Sequence, residues 1–82
     1  MIRINRLPAD AANSLVKFIG SKWIEGVKMF YNEYEQLYEI EIADSIPVFL
    51  KHWSSDSEPC VFLHLGENIM QVTLNGSEVT IN

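Results

Sequence analysis

A chain of 82 residues is long enough for one hydrophobic core and too short for two, so a single domain spanning residues 1–82 is the expectation. Hydrophobic residues make up 48% of it, which excludes a disordered chain, and the single cysteine, Cys60, excludes an internal disulfide or a cysteine-only zinc site. The net charge of −5 disfavours direct nucleic-acid binding through phosphate neutralisation and favours a protein partner with a basic surface.

The charge is unevenly spread. Residues 1–28 carry Arg3, Arg6, Lys17, Lys22 and Lys28 against Asp10 and Glu25, a net +3. Residues 29–82 carry Lys51 against nine acids, a net −8. Pro8, Asp10 and Asn13 interrupt any apolar leader, and no stretch reaches the roughly 18 apolar residues of a membrane span. A chain with one cysteine and neither of these signals is expected in the cytoplasm, away from the membrane.

In chain order, Ile2 and Ile4 alternate with Arg3 and Asn5, and Pro8 closes the run, which predicts an edge strand over 2–6. Pro8 and Asp10 suit the first turn of a helix whose stripe is Leu15, Phe18, Ile19 and Trp23, ending at Gly26 as a C-terminal glycine cap. Residues 27–43 fit either a continued helical stripe through Val27, Tyr31, Tyr34 and Tyr38 or a hairpin. The strict alternation of Tyr38-Glu39-Ile40-Glu41-Ile42 favours the hairpin, with Val27–Tyr31 paired to Gln36–Ile42 and a turn near Asn32-Glu33.

Asp44 and Ser45 offer capping oxygens, Pro47 fits a first turn, and Ile46, Phe49, Leu50 and Trp53 recur at helical spacing, predicting a two-turn helix. The polar run 54–59 then reads as a loop. From Cys60 the chain reads as a three-strand meander: 60–65, a turn at Gly66-Glu67-Asn68, 69–74, a turn at Asn75-Gly76, and 78–81. The resulting class is α+β, mainly antiparallel sheet, with one longer N-terminal helix, one short helix and a closing meander.

His52, Cys60 and His64 are the candidates for a soft metal site or a nucleophile and its base, but their spacing matches no zinc motif. Cys60 and His64 share a strand face yet lie about 13 Å apart along it. No triad, metal set or cofactor loop is evident, so neither catalysis, metal nor cofactor is expected. Glu33, Glu35, Glu39 and Glu41 share odd numbering and would form a carboxylate row on a continuous strand. The plain reading of that row is a solvated face. The functional reading joins it to Tyr34 and Tyr38 as a surface for a basic partner, since four of the chain's eleven acids cluster there, far in sequence from any basic residue. Trp23 and Trp53 read as core.

These residues lead to a small acidic protein-binding domain of inhibitor, immunity or adaptor type that covers a basic surface of a larger macromolecule through Glu33, Tyr34, Glu35, Tyr38, Glu39 and Glu41. The alternative is a non-catalytic structural or accessory subunit that forms a homodimer through an exposed sheet edge or helical stripe, its positive first third facing the negative remainder of another copy.

Overall fold

The computed structural model describes residues 1–53 and 59–82, with His52 and Trp53 described by their backbone alone. The expected polar loop and the expected core position of Trp53 lie outside the described residues.

Alternation in the first residues produces β1 (Ile2–Leu7), which turns Ile2, Ile4 and Leu7 into the core. Pro8 ends it and leads into α1 (Ala9–Ile19), where Asp10 sits in the first turn and Lys17 in the last, each complementing the helix dipole. Ala12, Leu15 and Ile19 form the buried stripe. The helix stops earlier than the sequence predicts. Gly20, with φ 85°, closes it by donating its N–H to the Val16 carbonyl at 3.0 Å, and Ser21–Gly26 is a separate 3-10 helix carrying the half-buried Trp23. Gly26 serves a different purpose from capping: a Cβ there would come within 2.8 Å of the end of the buried Ile46 side chain, which glycine leaves undisturbed.

The next two strands are β2 (Val27–Asn32) and β3 (Leu37–Ile42), antiparallel in an unbroken register from Val27 opposite Ile42 to Asn32 opposite Leu37. The expected hairpin is therefore present. Its alternation places Ile40 and Ile42 in the core and Glu39 and Glu41 on the outer face.

Two expectations meet corrections here. The two-turn helix at 44–53 is replaced by strand β4 (Val48–Trp53), paired residue for residue with β5 (Cys60–Leu65). Two helical turns cannot outweigh six paired residues of strand, and the run Val48-Phe49-Leu50 suits either geometry. A meander does form, but one strand earlier than expected: β4, β5 and β6 (Asn68–Thr73) make a three-stranded sheet. A two-residue turn at Gly66-Glu67 joins β5 to β6, with Gly66 at φ 61° in its first position.

Asn75-Gly76 bends the chain without making a hairpin. It redirects β7 (Glu78–Ile81) to the other sheet, where β7 pairs antiparallel with β1 from Ile2 opposite Ile81 to Asn5 opposite Glu78. That sheet runs β2-β3-β1-β7, so β1 is an interior strand and not an edge. Pro8 lies just past its end and takes nothing from the ladder. The α+β class holds, with one longer helix, one short helix and antiparallel sheets throughout.

The two sheets and α1 enclose one core in which Ile4, Leu7, Leu15, Ile40, Val61 and Leu63 are fully buried. No helix among the described residues is long and apolar enough to cross a membrane.

Candidate functional site

A bulge in β1 shapes the end of the larger sheet. Ile4 faces Ile40 and Leu7 faces Tyr38, so β1 uses one more residue than β3 over this interval. The extra length is absorbed at Arg6, which takes φ 54°, in the left-handed region. Leu7 is thereby returned to the core while Arg6 swings outward, and its carbonyl accepts a hydrogen bond from Ser77 Oγ at 2.9 Å.

Arg6 points at the tip of the β2–β3 hairpin. The tip is a four-residue loop, Glu33 to Gln36, whose conformation is set by Asn32: its side-chain Oδ1 accepts from the backbone N–H of Tyr34 at 3.0 Å and of Glu35 at 3.1 Å. The Asn32 carbonyl accepts from Gln36 N–H at 2.8 Å, with Gln36 at φ 56°. Tyr34 is left at the apex with its whole side chain in solvent.

Beside this tip lies an open concavity of about 610 Å³, lined among others by Arg6, Phe30, Tyr31, Tyr34, Glu35 and Tyr38. Tyr31 and Tyr38 pack across the strands with ring centroids 4.9 Å apart and planes tilted by 48°. Phe30 and Tyr31 are each about half exposed, a large apolar area for so small a region.

The structure brings five of the six expected residues together at the concavity: Glu33, Tyr34, Glu35, Tyr38 and Glu39. Glu41 is elsewhere, near the opposite end of β3, opposite Lys28 and Arg3. The carboxylates also fail to form a continuous row, because the hairpin puts Glu33 and Glu35 on its loop and only Glu39 and Glu41 on one strand face. Nor are they isolated from cations. Arg3 reaches Glu41 Oε2 through Nη2 at 2.9 Å and Nε at 3.0 Å and lies 3.9 Å from Glu39, while Arg6 Nε lies 3.4 Å from Glu35 Oε2. Among the described residues, Glu33 alone of the four has no cation within ion-pair distance.

Arg6, Phe30 and Asn32 line this concavity and Arg3 approaches it through Glu39, and the sequence marks none of them as a site residue. The alternation of Arg3 with Ile2 and Ile4 puts it on an outer face, but its acidic neighbours follow only from the pairing of β1 with β3. Of the candidate nucleophile and base, Cys60 is buried with a free thiol, and the half-buried His64 lies opposite Phe49 on β4 and Ile69 on β6. Among the described residues, no three His, Cys, Asp or Glu side chains are grouped to hold a metal ion.

Comparison with known proteins finds no family whose model matches the chain, no curated protein of similar sequence and no solved structure of similar fold.

Proposed function

We propose that this chain is a non-catalytic protein-binding domain, of inhibitor, immunity or adaptor type, that docks the tip of its β2–β3 hairpin on a basic surface of a larger macromolecule. The observation that carries the reading is the concavity at the tip, where exposed aromatic rings border carboxylates. Aromatic faces and carboxylates are the two groups that lysine and arginine side chains bind best, the first through the ring quadrupole and the second through charge-assisted hydrogen bonds. Tyr34 and Glu33 are the first groups an approaching cation meets. Glu35 and Glu39 sit behind them, already shared with Arg6 and Arg3.

The test uses the partner captured by the intact protein. Glu33→Gln and Tyr34→Ala, alone and together, are measured against it at low and high salt, after circular dichroism confirms folding. The double variant is expected to associate roughly tenfold more slowly at low salt and to approach the parent at high salt, as loss of a steering charge requires. Equal rates at both salts would remove the tip from the contact.

A further inference from the structure

The outer edge of the larger sheet is formed by β2, and its sequence carries few of the devices that keep sheet edges apart. The strand is six residues long, has no proline and no bulge, and carries Lys28 as its one charge. Met29, Phe30 and Tyr31 in succession are 42%, 49% and 51% exposed, so both faces of the edge are apolar. The opposite edge, β7, is shorter and begins with Glu78.

The direction of the free backbone groups follows from the register. Ala43 N–H donates to the Gly26 carbonyl at 2.9 Å, one step beyond the Val27 and Ile42 pair. Gly26, Lys28, Phe30 and Asn32 therefore turn their backbone polar groups towards β3, and Val27, Met29 and Tyr31 turn theirs to the open edge.

We infer that β2 pairs antiparallel with β2 of a second copy about a two-fold axis at Phe30, joining two four-stranded sheets into one. This register lets Met29 and Tyr31 exchange backbone hydrogen bonds with Tyr31 and Met29 of the second copy. It also sets Phe30 against Phe30 in the more closely spaced type of pair, where side chains pack best. Charge complementarity favours another copy of this chain as the occupant. Lys28 lies near one end of the strand and the acidic tip at the other, so antiparallel pairing sets the Lys28 end of each copy beside the tip of the other, with Asn32 opposite Lys28 and Glu33 opposite Val27, and does so twice. The pairing goes beyond the proposed function and shares Glu33 with it, so a basic partner competes with the second copy. Mass measured on the purified chain without any partner tests the pairing by itself.

Sedimentation velocity over a wide concentration range is expected to show a dimer. Phe30→Lys, which sets two cations face to face, and Met29→Pro, which removes an outward N–H while sparing the ladder to β3, are expected to sediment as folded monomers. Lys28→Glu is expected to raise the dimer dissociation constant roughly tenfold, since the change acts twice, and adding Glu33→Lys is expected to restore it. If Met29→Pro does not fold, Phe30→Lys still decides, because its side chain is half in solvent in the single chain. A parent that stays monomeric at every concentration, or a dimer indifferent to Phe30→Lys and to the charge swap, overturns the inference.

Discussion

Arg6 holds a conformation that costs more than its ion pair returns. An L-residue held at positive φ is strained by about 1–2 kcal/mol relative to glycine, and the exposed ion pair with Glu35 returns at most about 1 kcal/mol. Arg6→Gly is therefore expected to be at least about 1 kcal/mol more stable than Arg6→Ala, which keeps the strain and loses the pair. Urea melts of the two variants decide it, and equal midpoints would mean that the backbone at residue 6 is relaxed. Gly26 presents the opposite case, a glycine favoured by space and not by backbone angle. Gly26→Ala is expected to cost about 1–2 kcal/mol because the new methyl group meets the buried Ile46, which must shift within a filled core.

Among the elements, β4 and β3 show what alternation can and cannot specify. Tyr38 to Ile42 alternate strictly, and a helix would scatter those glutamates around its surface, so the strand was legible from the sequence. Val48-Phe49-Leu50 is continuously apolar, and Ile46, Phe49, Leu50 and Trp53 satisfy helical spacing as well as a strand would, so the deciding factor is β5, a partner absent from local sequence. The two geometries differ in one testable way: a helix buries Phe49 together with Leu50, whereas the strand exposes Phe49 by 70% and turns Leu50 towards the core. Phe49→Ser is expected to change stability by less than about 1 kcal/mol, and Leu50→Ser to cost about 3 kcal/mol or more. Chemical denaturation of both proteins checks the contrast, and similar losses would favour the helix. The hairpin tip was legible in the same partial sense. Its place near Asn32 followed from the flanking strands, but Arg6, which pairs with Glu35, reaches it only through the pairing of β1 with β3 and the bulge at Arg6.

At the scale of the whole molecule, the departure of β7 from the expected meander has a local cause. Asn75-Gly76 signals a bend, and local sequence does not say whether the chain returns to the strand it has just left. Here it crosses to the other sheet, and β7 lies against β1, with side-chain hydrogen bonds between the two regions spanning 71 and 73 residues. Contacts of that span close a loop of nearly the whole chain, which makes them entropically expensive to form early. Val79→Ala, in a half-buried position on β7, is expected to speed unfolding while leaving the folding rate within about twofold of the parent, and stopped-flow chevrons check this. A matching slowdown in folding would place β7 in the nucleus instead.

The same pairing carries a consequence for biosynthesis. A ribosome delivers β1 well before β7, so during translation β1 has its neighbour β3 on one side and an unpaired row of backbone groups on the other. A nascent chain arrested before residue 78 therefore presents Ile2 to Asn5 as an open template for any strand nearby, and the second side of β1 is covered only when β7 leaves the exit tunnel.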